Sequence, residues 1–169
     1  MDAIETILSR KSVRSFKEKE IEDEKLDIIL KAAMAAPSAM NRQPWFFYVA
    51  KSKEKIDAIR GAMMYGKYEA AAIIIVCGKE LAELPIGHDI MYCDLGAASE
   101  NILLAAHAQG LGGVWCAIYP SKNNMKNIAK VIGAPLGVTP YSAIYLGYPS
   151  DDDKSQVKDK FNEKNYKII

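Results

Sequence analysis

The chain has 169 residues, of which half are hydrophobic and a quarter are charged, and its formal net charge is +1. This length suits one domain with a substantial core, and the near-neutral charge gives no electrostatic reason to expect nucleic acid or an acidic membrane as a partner. Three dispersed cysteines without a CxxC pair, no recognisable signal peptide and no apolar run of membrane-spanning length predict a soluble, cytoplasmic protein.

Two helices are predicted at the start of the chain. In residues 2–12 the apolar side chains recur on one helical face, and Asp2 is placed as the N-cap. Residues 22–37 repeat the pattern more strongly, with acids at the beginning and Pro37 as the stop. The apolar faces of the two segments are formed by Ile4, Ile7, Leu8, Leu26, Ile29, Leu30 and Ala33.

The rest of the chain alternates strands with helices. Aromatic and β-branched content predicts strands over residues 44–50, 71–78, 113–119 and 141–149. Serine caps and apolar periodicity predict helices over residues 52–63, 88–110 and 121–133. This order predicts a single domain, residues 1–169, with helices on either side of a sheet of about four strands.

Two features of this pattern point beyond a single chain. The helix over 88–110 is apolar on more than one side and ends at Gly110, so it is expected to pack on the sheet and on another subunit. From about residue 150 the chain is a polar, extended tail. Its last five residues, NYKII, have strand propensity and are expected to pair with a sheet edge, either their own or a partner's.

Four polar residues directly after the first apolar face form a candidate anion site. Arg10, Lys11, Ser12 and Arg14 lie within five positions, and arginine forks with a serine hydroxyl suit a phosphate group. The alternative is a solvated basic helix end that complements the helix dipole. The segment alone leaves the two interpretations equally weighted.

Two further segments carry polar groups that are less informative by themselves. Lys158 and Lys160 would point the same way from an extended tail, but lysines in a polar tail are usually only solvated. The loop PSAMNRQPW, residues 37–45, offers a hydroxyl and two carboxamides that could match the edge of a heterocycle. Ordinary turn chemistry explains the same residues, and for the loop alone it is the favoured interpretation.

Other standard catalytic machinery is missing from the sequence. There is no GxSxG, no GxxxxGK[ST] and no HExxH motif. GLGGVW fails the dinucleotide-binding pattern because Trp115 replaces the third glycine. The only histidines, His88 and His107, have no metal-ligand spacing to the cysteines, so no metal is expected.

The ordered series of these segments resembles the FMN-dependent nitroreductase family. The segments that carry the resemblance are RKSVRSF (10–16), APSAMNRQPWFF (36–47), DLGAASENILLAAHAQGLGGVW (94–115), IYLGYP (144–149) and KDKF (158–161). The resemblance implies an α+β fold with a central mixed or antiparallel sheet of about four to five strands flanked by helices. It also implies a homodimer that packs through the central helix and exchanges its C-terminal arms, with FMN at the subunit interface.

The resemblance assigns particular residues to the cofactor. Arg10, Ser12 and the tail lysines would hold the phosphate and ribityl chain, while Arg14, with Lys11, would lie near the pyrimidine end. Asn41 would hydrogen-bond the ring edge, and the loop of the partner subunit would line its other side. Backbone amides after GLGGVW would face flavin N5 and O4. The full set is Arg10, Lys11, Ser12, Arg14, Pro37, Ser38, Ala39, Asn41, Gln43, Ala117, Ile118, Lys158 and Lys160.

The implied activity is an NAD(P)H oxidoreductase that needs no catalytic side chain, because the chemistry takes place on FMN. NADH or NADPH would pass hydride to N5, and a nitroaromatic, quinone or similar acceptor would then take its place in a ping-pong cycle. Alternatives with the same fold are dehalogenation, flavin breakdown, or a non-enzymatic flavin-binding dimer. Two departures from the family pattern are a short segment, GAMMYGKYEA, over the expected ring position and Lys160 where an arginine is common.

Overall fold

The computed structural model describes residues 2–79 and 89–169. Its elements in chain order are α1 (Ala3–Ser9), α2 (Asp23–Met34), β1 (Trp45–Ala50), α3 (Lys53–Ala62), β2 (Ala72–Lys79), α4 (Asp89–Ala108), β3 (Gly112–Ala117), α5 (Lys122–Ile132) and β4 (Val138–Gly147). The predicted order of helices and strands is confirmed. His88, at the start of the predicted central helix, lies outside the described residues.

Capping side chains begin three of the helices as the sequence predicted. Asp2 accepts a hydrogen bond from the Glu5 amide at 2.9 Å, and Ser52 and Ser121 cap α3 and α5 in the same way. The first helix, however, ends at Ser9 and not at residue 12. Arg10 already has extended backbone angles, because the residues that follow pair with β3 and cannot remain helical.

The sheet contains four strands in the order β1-β2-β4-β3, and every neighbouring pair is antiparallel. The predicted α+β architecture with a central antiparallel sheet is therefore confirmed. The segment after α1 runs beside the β3–β4 edge, where Ser12 pairs with Gly113 and Phe16 with Pro149. This approach requires Gly147, since a Cβ there would lie 2.9 Å from the Phe16 ring.

Helices cover both faces of the sheet and form two apolar clusters. On one face α2 and α4 pack over the sheet around Ile29, Leu95 and Ile102. On the other face α3 and α5 pack around Ile59 and Ile128. The central strand β2 is buried on both sides, which explains its continuous apolar sequence. None of the described helices combines the length and the apolar character needed to cross a membrane.

The tail leaves the domain after residue 153 and is exposed along most of its length. Residues 166–169 form no strand with the sheet of their own chain, so only pairing with a partner's sheet remains as a prediction for NYKII. Large apolar side chains of the tail and of α1 are exposed in the single chain: Ile4, Ile7, Leu8, Val157, Phe161, Ile168 and Ile169. The apolar face predicted for the first helix therefore does not contact the core of its own domain.

Candidate functional site

A cavity of about 930 Å³ lies between the end of α1, the segment after it, and the tail. This volume is within the usual range for small-molecule sites, about 300–1,000 Å³. Six of the residues predicted for a phosphate and its neighbourhood line this one cavity: Arg10, Lys11, Ser12, Arg14, Lys158 and Lys160. The fold thus places Lys158 and Lys160 beside Arg10 and Arg14. In the sequence alone these two lysines were uninformative.

The edge of the sheet holds the N-terminal part of this cationic cavity. The Val13 amide donates to the carbonyl of Gly113 at 3.0 Å, and Val13 is buried with 3% of its surface exposed. Ser12 and Arg14 therefore flank a fixed residue and project from a strand-like segment. Arg14 Nη1 also donates to the carbonyl of Ser12, at 3.4 Å.

Helix α4 contacts the same segment from the other side. Arg10 Nε donates to Glu100 Oε1 at 3.1 Å, with 18% of the Arg10 side chain and 44% of the Glu100 side chain exposed. His107 Nε2 lies 2.8 Å from the Ser9 hydroxyl. Burial, together with the nearby charges of Arg10 and Lys11, lowers the pKa of His107 below its usual 6.5, against the weaker opposing effect of Glu5.

Lys11 ties the tail to the domain. Its Nζ donates to the carbonyl of Ser155 at 2.6 Å and lies 3.4 Å from Asp153 Oδ2. Burial alone would raise the pKa of Asp153, but hydrogen bonds from Ser155 and Lys11 outweigh it and leave that pKa below its usual value. In the single chain Lys11 thus fixes the tail at the point from which Lys158 and Lys160 reach the cavity.

The polar loop before β1 has a strained backbone that its own side chains support. Met40, Asn41 and Gln43 have φ values of 53°, 54° and 50°, in the left-handed region that non-glycine residues rarely adopt. The Gln43 amide donates to the Ser38 hydroxyl at 3.0 Å, and the Gln43 side chain donates to Asn41 Oδ1 at 3.1 Å. Strain of this kind costs about 1–3 kcal/mol per residue and is found mainly at functional sites.

A buried carboxylate on α4 anchors this loop. Asp94 Oδ1 accepts a hydrogen bond from the Ala39 amide at 3.0 Å, and Asp94 is only 7% exposed. Sequence reasoning missed both Asp94 and Glu100 as site residues. The available signal was their position, because they are the only acidic residues between Met91 and Ala106 in an otherwise apolar helix.

The two residues predicted near the flavin at the end of β3 differ in exposure and in hydrogen bonding. Ala117 is exposed, whereas Ile118 is buried and its backbone amide already donates to the carbonyl of Tyr141 at 3.0 Å. The Ile118 amide is thus committed within the chain and is not free to face flavin N5. Neither these residues nor the predicted loop residues line the cationic cavity; the loop residues are Pro37, Ser38, Ala39, Asn41 and Gln43.

The geometry of α4 explains this separation. Asp94, which holds the loop, and Glu100, which holds Arg10, are six residues apart, which is about 9 Å along the axis and about 120° around it. Glu100 and His107 are seven residues apart, close to two full turns, and share one face. The loop and the cations of a single chain therefore lie on different faces of α4.

The described residues were also compared with what metal binding and thiol chemistry require. Across residues 2–79 and 89–169, no group of three His, Cys, Asp or Glu side chains is arranged to hold a metal ion. Burial raises the pKa of Cys77 to about 12, and it raises the pKa of Cys116 to about 11 against the opposing effect of Arg14. Such thiols are inert at neutral pH.

Comparisons with known proteins agree on one family. The Nitroreductase family model matches residues 7–72 and 64–148. A protein of Archaeoglobus fulgidus, provisionally named an NADH dehydrogenase/NAD(P)H nitroreductase, is 39% identical over 165 residues, covering 95% of this chain and 94% of that protein.

Solved structures give the same result for the fold. A crystal structure from Bacteroides thetaiotaomicron, with the same provisional name, has a TM-score of 0.90 at 39% identity and covers 98% of this chain and 96% of that chain. A provisionally assigned nitroreductase from Desulfovibrio desulfuricans, solved in complex with FMN, has a TM-score of 0.79 at 26% identity, covering 98% of this chain and 95% of that chain.

Proposed function

This chain belongs to the nitroreductase family, and on that premise we propose that it is an FMN-dependent oxidoreductase. The electron donor is NADH or NADPH, and the acceptors are electron-poor molecules such as nitroaromatics and quinones. The observation that carries the proposal is the cationic cavity. Two arginines, four lysines and Ser12 line it, and they come from two distant parts of the chain: Arg10, Lys11, Ser12, Arg14, Lys154, Lys158 and Lys160.

The residues of this cavity fit a flavin mononucleotide. A phosphate dianion needs several cations and neutral donors, and guanidinium forks match its oxygens bidentately. Arg10, Ser12 and the tail lysines Lys158 and Lys160 would supply these donors, and Lys11 would keep the tail in place. The basic residues after α1 could not provide this set by themselves, because Lys158 and Lys160 come from the other end of the chain.

When bound, FMN would supply the redox chemistry, which is the transfer of hydride from NAD(P)H to the acceptor. The protein would bind and orient the group. Arg14 would provide positive charge on the pyrimidine side, where it favours electron density on the ring. The exposed Ala117 at the end of β3 remains the candidate for contact near N5.

We further propose that the active form is a homodimer in which a second copy completes each site. The separation of the loop and the cations on α4 supports this, because the loop of one chain does not reach its own cationic cavity. The exposed apolar residues of α1 and the tail also support it, since Ile7, Leu8, Val157 and Phe161 line the cavity wall and would be covered by a partner. Sedimentation of the purified protein with and without FMN measures this directly, and a monomer that binds FMN would contradict it.

The first experiment is the absorption spectrum of the purified protein, followed by identification of the flavin released on heating. We expect FMN at about one per subunit. Arg10→Ala should weaken FMN binding by about 10- to 150-fold, the equivalent of the 1.5–3 kcal/mol that a charge-assisted hydrogen bond contributes. Lys126→Ala, on the exposed face of α5, is the matched control and should leave FMN affinity unchanged.

A second experiment separates catalysis from mere flavin binding. Rapid mixing of the FMN-loaded protein with NADH or NADPH should bleach the flavin absorbance, and an acceptor should restore it. A protein that binds FMN but is reduced only over hours would be a flavin-binding dimer and not an oxidoreductase. A colourless protein that does not take up added FMN would refute the proposed function altogether.

A further inference from the structure

We propose that Glu100 is a positioning residue that orients the Arg10 guanidinium for the phosphate group of the cofactor. This inference rests on the proposed function, because it concerns how the same cavity binds FMN. Nothing in the sequence pattern of the phosphate cluster includes Glu100, which lies 90 positions away on α4. The structure brings it to 3.1 Å from Arg10 Nε.

The atoms in this contact determine what Arg10 can still bind. Glu100 accepts from Nε, and among the described residues no other hydrogen bond or ion pair involves the guanidinium of Arg10. A guanidinium has five N–H donors in a rigid fork, so the four on the two terminal nitrogens remain for a ligand. Arg10 lines the cavity and only 18% of its side chain is exposed, so these four donors are available to a ligand bound in the cavity.

A second contact from the same helix face supports a positioning role. His107, two turns after Glu100, is hydrogen-bonded to Ser9, which directly precedes Arg10. Helix α4 therefore holds two consecutive residues at the point where α1 ends and the extended segment begins. Helix α4 thus contacts the Arg10 side chain directly, and it contacts the preceding residue through the Ser9 hydroxyl.

Electrostatics alone would not favour a carboxylate at this position. A negative charge beside a phosphate-binding arginine repels the phosphate and offsets part of the arginine's attraction. A free arginine, however, has many rotamers, and holding one of them before the ligand arrives removes part of the ordering cost of binding. The two roles therefore predict opposite effects when the length and the charge of the side chain are changed separately.

The test uses two conservative variants and titration of the flavin-free protein, followed by flavin fluorescence. Glu100→Asp keeps the charge but shortens the reach, and it should weaken FMN binding by about 2- to 12-fold, the range expected for freeing one long side chain. Glu100→Gln keeps the acceptor oxygen without the charge, and it should bind FMN as tightly as the wild type or more tightly. Riboflavin, which lacks the phosphate, should bind all three proteins equally.

Controls make each outcome decisive. Asp27→Asn on the exposed face of α2 changes the net charge as Glu100→Gln does and should leave FMN affinity unchanged. Glu100→Ala removes the acceptor altogether and, like Glu100→Asp, should weaken FMN binding. Thermal melting checks that each variant folds, which is expected because Glu100 is nearly half exposed.

The inference fails if Glu100→Asp binds FMN like the wild type while Glu100→Gln binds it more tightly, because Glu100 would then act only through its charge. It also fails if the variants lose FMN and riboflavin affinity to the same extent, since the effect would not involve the phosphate. A wild-type protein that binds neither flavin would refute the proposed function itself, and this inference with it. Normal wild-type binding with an unaffected Glu100→Asp variant refutes the inference alone.

Discussion

The close contact between β3 and the segment after α1 can be tested by replacing Gly112 with alanine. A Cβ on Gly112 would lie 2.7 Å from Val13 Cβ and 2.8 Å from each Val13 γ carbon. These separations are far shorter than normal carbon contacts, which are about 3.5–4.0 Å. Val13 cannot rotate away, because it is buried and a β-branched side chain is stiff at χ1. The backbone of the segment must move instead.

The expected cost follows from what that movement disrupts. Overpacking a well-packed site costs about 1–3 kcal/mol. Displacing the segment also weakens the 3.0 Å hydrogen bond from the Val13 amide to Gly113, which contributes about 1 kcal/mol. The free energy of unfolding should therefore fall by about 2–4 kcal/mol. FMN affinity should fall with it, because Ser12 and Arg14 flank Val13.

Denaturant unfolding at one fixed protein concentration measures this loss, and Gly61→Ala provides the matched control. A Cβ on Gly61 meets no heavy atom within 4 Å, and its helical position in α3 favours alanine, so stability should rise by about 0.5 kcal/mol. Adding Val13→Ala to Gly112→Ala should recover part of the loss, since the two side chains share one space. A Gly112→Ala protein as stable as the Gly61→Ala protein, or no coupling to Val13, would show that this contact does not hold the segment.

Three further predictions concern a buried carboxylate, a half-buried histidine and the three cysteines. Asp94→Ala removes the acceptor of a loop amide at 3.0 Å and should lower stability by about 1.5–3 kcal/mol and speed proteolysis of the loop, whereas Asp94→Asn should lose less; equal protease sensitivity would contradict this role. Because the pKa of His107 is lowered in the folded state, the unfolded chain binds its proton first, so stability should fall as the pH drops below about 6.5. His107→Gln should flatten this part of the stability profile, and a profile that stays unchanged would show that another group titrates. Iodoacetamide at pH 8 should label the exposed Cys93 in the native protein and reach Cys77 and Cys116 only after unfolding, as mass spectrometry can count.

The order of elements was predictable because its signals are local. Asp2 and the two capping serines mark helix starts, and the β-branched run of β2 marks a buried strand. These signals act within a few residues and need no knowledge of the fold. The end of α1 was predicted wrongly, because the Val13 amide hydrogen-bonds to the carbonyl of Gly113, which lies 100 positions away in the sequence. A local sequence pattern cannot show that a distant strand competes with the helix for the backbone hydrogen bonds of these residues.

The candidate site was predictable only to the extent that its residues have distinctive chemistry. Arg10 and Arg14 are conspicuous in a short segment, whereas Lys158 and Lys160 become informative only when Lys11 fixes the tail beside them. The commitment of the Ile118 amide to Tyr141 depends on strand register, which a single sequence does not give. The structure was therefore needed mainly for contacts between distant segments.

Helix α4 shows how an apolar sequence can carry this long-range information. Burying an acidic side chain is costly unless it is hydrogen-bonded, so an acid within an apolar helix indicates a specific partner. In α4, Asp94 has the strained loop before β1 as its partner, and Glu100 has Arg10. Because these two residues face directions about 120° apart, one helix presents each half of the proposed site to a different side. In the proposed homodimer, α4 of one subunit would therefore hold Arg10 at one flavin through Glu100 and the loop at the other flavin through Asp94, so both sites would depend on α4.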